Sequence, residues 1–445
     1  MQASEPVLTV PAESLPSQDE KMAGALDNIH PGLSQEEAIR LLLLPVEALD
    51  SQSDPYMAAA HLINFPGQQT EEALIKLVRD SEQAQPRRLA RRKAVEVLGR
   101  LGCRSALPSI AACLSSDDPY LVENSAVALQ QLKSTDPEVH QQLSNLLADP
   151  AQNRRVLIQS LAGLGVEAAL PEIQALQAAE VPGVRGAAIS AVVQLGGPRD
   201  QLTDLAQQML LPNQMDRQSA IQDAINAGGY ELLEEIMRSP VSPVFRMRAL
   251  RALWSQAVDA ESGLDLLTVL DGLIEDRPQA LQLVHAYDQE PTDAFLVQEF
   301  FGTDFSRSYL ALQTLQQRSA VELWPLLLQR WQEEAHNDYG AHYFFVRLFG
   351  SLQGWPLEAC SVIRTWLEEA IVTRRPQFMK SKPAAVLALA ALGAEAPDDS
   401  WLDPDQTPFW EVRYAALMSA SKTQAERSLS DPEPFVVVKA QAVIA

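Results

Sequence analysis

Apolar residues recur along this chain every three or four positions, in stretches of about a dozen, with polar residues on the faces between them. That spacing is helical, because 3.6 residues complete a helical turn and a strand would alternate every second residue. From Arg87 onward the helical stretches repeat. The segments RRKAVEVLGRL (from Arg91), VENSAVALQQL (from Val122), RRVLIQSLAGL (from Arg154), RGAAISAVVQL (from Arg185), RQSAIQDAINA (from Arg217) and RMRALRALWSQ (from Arg246) align on one apolar position. It is held by Leu98, Leu129, Leu161, Val192, Ala224 and Leu253, at successive spacings of 31, 32, 31, 32 and 29. Second apolar stretches, such as SALPSIAACLSS and AALPEIQALQAA, lie between them. A period near 30 with two helices per unit predicts an all-α fold, an α-solenoid of helical hairpins. No single unit can bury its apolar stripe, so neighbours must stack. The stack is expected to curve and to present a concave ligand groove.

Local signals set the ends of these elements. Ser34 with Glu37 is a capping-box pattern ahead of AIRLLLL, and Asp54-Pro55 and Pro66-Gly67 bracket an apolar helix. The stretch SPVSPVFRMRALRALW, Ser239 to Trp254, carries a double proline break and three arginines, and it reads as a seam. The expected organisation is a Pro/Ser-rich disordered tail over 1–18 and a regular repeat array over 19–255. A less regular helical array over 256–445 would continue the same solenoid. Repeat-like helices return near Trp410 to Ala420 and near Asp431 to Ala445.

The first repeat position is arginine in five of the six segments: Arg91, Arg154, Arg185, Arg217 and Arg246. This pattern resembles HEAT repeats. The guanidinium there either bridges neighbouring repeats or forms a cationic ladder for a carboxylate ligand, with Arg246 and Arg248 the best placed for the second role. Charge narrows the partners. The formal net charge is −23, which argues against nucleic acid, since phosphate binding needs clustered Lys and Arg. Three scattered cysteines, Cys103, Cys113 and Cys360, make no disulfide framework and suit a reducing cytoplasm. The first twenty residues lack a basic start and an apolar core, so no signal peptide is expected, and no apolar run is long enough to span a membrane. No HExxH, nucleophile elbow or Gly-rich phosphate loop is present, and no metal site or cofactor is expected.

Candidate chemistry concentrates after Ser255. In EEAHNDYGAHYFFVRLFG, the residues His336, Asp338, Tyr339, His342, Tyr343 and Arg347 fall within a dozen positions. A helix from Tyr339 to Phe349 would set Tyr339, Tyr343 and Arg347 on one face, with His336 and Asp338 at its entrance. A tyrosine hydroxyl beside a carboxylate can pass a proton once water is excluded. Tyr287 and Asp288, after His285, form a second such pair, and Asp304 with Arg307 a third that reads best as a salt bridge. Packing alone is the competing reading of each cluster.

The stretches SDPYMAAAHLINFP, SPVSPVFRMRALRALW, LVHAYDQ, NDYGAHYFFVRLFG and RPQFMKSKPAA resemble the HEAT-repeat (E/F-type) phycobilin lyases of cyanobacteria, most of all the long single-chain branch serving phycoerythrin. The resemblance covers roughly Gly32 to Trp410. It implies an enzyme that holds an open-chain tetrapyrrole as substrate and attaches it by a thioether to a cysteine of a phycobiliprotein subunit, whose thiolate adds to the ring-A ethylidene carbon. It further implies phycoerythrobilin as the bilin, a phycoerythrin subunit (the α subunit first) as a transient partner, and, with the Asp/Tyr pairs in view, isomerisation to phycourobilin. In that frame Asp338 and Tyr339, then Tyr287 and Asp288, are the proton-transfer residues. Arg246, Arg248, His285, His336, His342, Tyr343 and Arg347 would bind the bilin. The alternative is a non-catalytic HEAT scaffold or bilin carrier for phycobilisome assembly.

Overall fold

The computed structural model describes residues 32–445 except 261, 394 and 395. The tail expected over 1–18 lies outside them. Every regular element among the described residues is a helix, as the periodicity requires. The chain divides into two compact units, Met1–Gln201 and Leu202–Ala445. The repeat array expected to end at Ser255 thus spans the division, and its last two repeats belong to the second unit.

In the first unit the repeat-defining helices are α1 (Gln35–Leu43), α2 (Asp54–His61), α3 (Gln85–Arg100), α4 (Pro119–Gln131), α5 (Arg154–Gly163) and α6 (Pro182–Gln194). In the second they are α7 (Gln214–Asn226), α8 (Pro243–Asp259), α9 (Leu266–Glu275), α10 (Phe305–Leu315), α11 (Ala320–Arg330), α12 (Ala341–Ser351), α13 (Leu357–Val372), α14 (Ser381–Ala391), α15 (Trp410–Leu417) and α16 (Pro434–Ile444). Their starts follow the sequence. Ser34 accepts from the Glu37 N–H at 3.2 Å, Asp118 from Tyr120 at 3.1 Å and Asp304 from Ser306 at 2.9 Å. Each cap satisfies an N–H that the first helical turn leaves without a partner. Pro55 and Pro119 sit where a missing N–H costs nothing. The six aligned apolar positions, Leu98 through Leu253, are all 0 % exposed.

Three of the five repeat arginines turn inward onto carbonyls. Arg217 donates to the carbonyls of Leu211 and Pro212, both at 2.8 Å, Arg185 to Ala179 at 3.2 Å and Arg246 to Met237 at 3.3 Å. Arg413 repeats the arrangement on Thr407 at 2.7 Å. Each guanidinium ties its helix to the loop that precedes it, filling carbonyls no helix can satisfy. Arg217, Arg246 and Arg413 are buried and add an acidic partner, respectively Asp304, Asp276 and Asp431. At these positions the arginine ladder is a set of internal staples rather than a cationic face offered to a ligand.

The second unit is aromatic where the first is aliphatic. Phe300, Phe305, Tyr309 and Phe344 pack ring on ring at 5.3–5.9 Å between centroids, joining α10 to α12. α12 also lies hard against α14. A Cβ built on Gly350 would sit 2.6 Å from the Cα of Ala388, so only glycine allows that approach.

Candidate functional site

Helix α9 ends at Asp276, whose backbone is left-handed at φ 44° and ψ 52°. This conformation is uncommon outside glycine, and asparagine and aspartate tolerate it best. It turns the carboxylate into the core, where three side chains from three helices meet it. Arg246 of α8 and Tyr343 of α12 both bond to the carboxylate, and Tyr309 of α10 donates to it at 2.6 Å. Arg347 of α12 donates to the Asp276 carbonyl at 2.9 Å. Asp276, Arg246, Tyr309 and Tyr343 are all buried. Burial alone would raise the Asp276 pKa, yet the charges of Arg246 and Arg347 and the two phenols hold it below the ordinary value. Both phenols are pushed well above theirs, first by burial and then by the carboxylate they serve. This knot fixes α12 against α8, α9 and α10 and contains no group free to take up a proton near neutral pH.

On the neighbouring side of α12 a pocket of about 470 Å³ opens. Its walls are flat rings. Trp331 stacks on Trp366 with centroids 4.9 Å apart, and His342 stacks on Phe378 at 4.2 Å. Trp331 begins the π-helical turn Trp331–Ala335, a wider coil that recurs where helices build sites. Arg375 and His336 also line the pocket. Arg375 donates to Asn337 at 2.7 Å, and His336 Nδ1 lies 3.0 Å from the Trp331 carbonyl. His342 Nδ1 lies 2.9 Å from the Ser381 hydroxyl. Burial lowers the His342 pKa to about 4, with the charges of His336, Lys380 and Arg375 adding to the effect, so the imidazole is neutral at pH 7. Flat rings and a neutral imidazole, with the Arg375 cation and the Glu369 carboxylate both in the lining, form a slot for a conjugated molecule that carries polar groups at its edge.

Between the knot and this pocket lies Lys380, immediately before α14. It is 8 % exposed, and its ammonium has no hydrogen-bond partner. The rings of Tyr339, Phe305 and Tyr343 surround it, with centroids at 3.9, 4.7 and 5.5 Å. Burial pulls its pKa down to about 8 against the opposing influence of Asp338 and Asp276.

The residues singled out in the sequence are distributed as follows. α12 starts at Ala341, so Tyr339 precedes the helix and does not share a helical face with Tyr343. Asp338 determines that start. Its Oδ1 accepts from the N–H groups of Gly340 at 2.8 Å and Ala341 at 2.7 Å, which closes a turn ahead of the helix and leaves Tyr339 two residues short of its first residue. Tyr339 remains 56 % exposed, whereas Tyr343 is buried in the knot. Arg246, expected to face a ligand carboxylate, holds the chain's own Asp276, and Arg347 is committed to the same residue. Arg248 is exposed and bonds to Gln222, away from both. His285 joins Asp304 at 3.0 Å, and Asp304 also pairs with Arg217, so the Asp304–Arg307 salt bridge foreseen from the sequence gives way to this triad. Tyr287 packs edge-on against Phe295 at 6.0 Å with its hydroxyl unpartnered, and burial pushes its pKa up to about 12. Asp288 is exposed on the same loop. The structure therefore gathers His336, Asp338, Tyr339 and His342 around the pocket and Lys380, and places Tyr287, Asp288, His285 and Arg248 elsewhere. Asp276, Tyr309, Trp331, Trp366, Arg375, Phe378 and Lys380 were missed.

Comparison with known proteins fits this architecture. Residues 72–155 match the family model for HEAT repeats. The bilin biosynthesis protein CpeY of Synechococcus sp. (strain WH8020) is 43 % identical over 410 residues, which cover 89 % of this chain and 98 % of that protein. The chain belongs to the CpeY family of bilin biosynthesis proteins. Within reach of the family is the phycocyanin operon protein Y of Pseudanabaena tenuis (strain PCC 7409), 34 % identical over 88 % of this chain and 92 % of its own length. The phycocyanobilin lyase subunit alpha of Nostoc sp. (strain PCC 7120 / SAG 25.82 / UTEX 2576) is 30 % identical over a shorter span, 39 % of this chain and 66 % of that one. The aromatic pocket and the Asp276 knot both lie in the second compact unit of this CpeY-family chain.

Proposed function

We propose that the chain is a phycobilin lyase, binding an open-chain tetrapyrrole and directing its attachment to a cysteine of a phycobiliprotein subunit. The observation that carries this reading is the slot of Trp331, Trp366, His342 and Phe378, edged by Arg375 and His336. Its flat walls suit conjugated pyrrole rings, and the Arg375 guanidinium suits an acidic side chain of the bilin. The names of the CpeY and phycocyanobilin lyase relatives support the same substrate class.

In attachment, the thiolate of the acceptor protein bonds to the ring-A ethylidene carbon. The displaced electron pair enters the conjugated system, so one proton must reach the bilin. The lyase fixes one bilin conformer, which lowers the entropic barrier and sets stereochemistry. It need not supply a thiol. Cys103 and Cys113 are buried, and burial raises both thiol pKa values. Tyr339, next to Asp338 in the chain and with its ring on the Lys380 ammonium, is the proton donor in this reading, once bound bilin excludes water from its hydroxyl. The finer assignment is phycoerythrobilin as substrate, a phycoerythrin subunit (α first) as transient acceptor, and isomerisation to phycourobilin as an accompanying step.

The test is co-expression with a bilin-producing pathway and candidate subunits, reading absorbance of the purified, denatured subunit. Colour that survives denaturation is expected, because the bond is covalent. An unchanged spectrum marks a lyase, and a blue-shifted one marks a lyase-isomerase. Bilin bound to this chain without transfer to any subunit would leave a carrier and overturn the enzyme.

A further inference from the structure

The least explained group in the molecule is the Lys380 ammonium. An ammonium has three donors, and burying one with none of them used is costly. The three surrounding rings offset part of that cost through their negative faces, but they accept no proper hydrogen bond. Every other buried lysine or arginine singled out above has a carbonyl or carboxylate. Lys382, two residues on, donates to the carbonyls of Ile371 and Thr373, both at 2.6 Å. The corner also carries the positive end of α14, an eleven-residue helix whose first turn includes Pro383 and so lacks one N–H. An unused ammonium and a helix N-terminus at one place call for an oxyanion. Only one wall of the cage is movable. Phe305 and Tyr343 are buried in the core, whereas Tyr339 is largely exposed and lies outside the helix.

Resting on the lyase reading of the neighbouring pocket, we propose that Lys380 is a carboxylate-binding residue. It would receive one acidic side chain of the bilin when the Tyr339 ring swings off the ammonium. The carboxylate would bond directly to Nζ, and the conjugated rings would lie in the neighbouring pocket lined by Trp331, Trp366, His342 and Phe378. The groups facing Lys380 are Asp338 and Asp276, which oppose a second anion, and His342, which is neutral. The ligand carboxylate must compete with Asp338, the nearer of the two to the cage mouth by its place beside Tyr339. Lys380 is also why Arg246 and Arg347, both consumed by Asp276, are not needed as the carboxylate's partners.

The probes are biliverdin and its dimethyl ester, which share the conjugated system and differ in free carboxylates. Binding to the full chain is followed by tryptophan quenching and bilin absorbance. The wild type should bind the diacid about 10- to 100-fold more tightly than the diester, the range expected of a charge-assisted hydrogen bond in a dry site. Lys380→Met should lose that preference, leaving diester affinity unchanged, and Lys380→Arg should restore most of it. Lys380→Met discriminating acid from ester as the wild type does would overturn the proposal. A second measurement needs no variant. At pH 8 in weak buffer the wild type should take up protons on binding the diacid and none on binding the diester, because a carboxylate at Nζ favours the ammonium. Equal uptake with both probes would overturn it too. Failure of the wild type to bind either probe would instead remove the bilin reading, and the proposal with it.

Discussion

Replacing Asp276 by asparagine should destabilise the second unit far more than any surface change. Asparagine keeps the side-chain shape and tolerates the left-handed backbone, so the turn is preserved while the charge goes and one of the two accepting oxygens becomes a donor. What it removes is the counterion of Arg246, which is 2 % exposed and would be left charged in the core. Breaking a buried pair by deleting one partner costs about 3–5 kcal/mol. For a unit of this size each kcal/mol moves the melting temperature by about 2–4 °C, so the expected drop is roughly 6–20 °C. The assay is calorimetry, in which two compact units can give two transitions, and only the one belonging to Leu202–Ala445 should move. Acidity gives a second reading. The folded pKa of Asp276 lies below its unfolded value of about 3.9, so its contribution is complete above that value and is lost as the pH falls through the folded one. The gap between wild type and variant should therefore be constant from pH 8 to 5 and narrow below about 4. Arg246→Met added to the variant should recover part of the loss, because it removes the stranded charge. A shift of less than 1 °C at pH 7, or a gap that widens in acid, would refute this account of the knot.

Asp338→Asn should retain the turn into α12, since an amide oxygen accepts the same two N–H groups, whereas Asp338→Ala should cost about 1 kcal/mol in a thermal melt. If Asp338 and Tyr339 carry the proton, both Asp338→Asn and Tyr339→Phe should fold normally and fail to produce coloured, covalently modified subunit. Retained full activity in both would make Tyr287 and Asp288 the next candidates. His342 should titrate near pH 4 by nuclear magnetic resonance, and because its folded pKa lies below the unfolded value of about 6.5, stability should fall between those two pH values; a midpoint above 6 would contradict the burial described. Gly350→Ala should cost about 1–3 kcal/mol by forcing α12 off α14, and should weaken bilin binding because His342 and Lys380 approach the site from those two helices.

The solenoid was legible because its information is local. Each repeat writes its own period, caps and prolines within about thirty residues, and the six aligned core positions are all buried. The repeat arginines were legible as positions, and their short-range carbonyls could be guessed, but their acids could not. Asp276 lies 30 residues from Arg246, 33 from Tyr309 and 67 from Tyr343. One weak signal existed. An aspartate at the C-terminus of a helix faces the negative end of its dipole, a placement that needs a compensating cation. Tyr339 was misplaced for a different reason. A four-residue spacing to Tyr343 suggests a shared face only when both residues are helical, and Asp338 capping the turn excludes Tyr339.

Lys380 carries the larger lesson about where function sits in such a chain. A lysine in RPQFMKSKPAA resembles any other, and Lys382 in the same stretch proves to be a structural cap. Acceptors separate the two, since both are enclosed but only Lys382 has been given any. A repeat protein satisfies its buried charges wherever folding alone is at stake, as the arginine staples and the Asp276 knot illustrate. One cation left without an acceptor, beside an aromatic slot and under an exposed tyrosine, departs from that rule at a single corner of the second unit. The departure costs stability in the free chain, and an anionic ligand at Nζ would repay it. It follows that Lys380→Met should raise the melting temperature of the unliganded chain, or leave it unchanged, while abolishing the preference for the diacid. A structural lysine would do the reverse, lowering the melting temperature and leaving the choice between acid and ester intact.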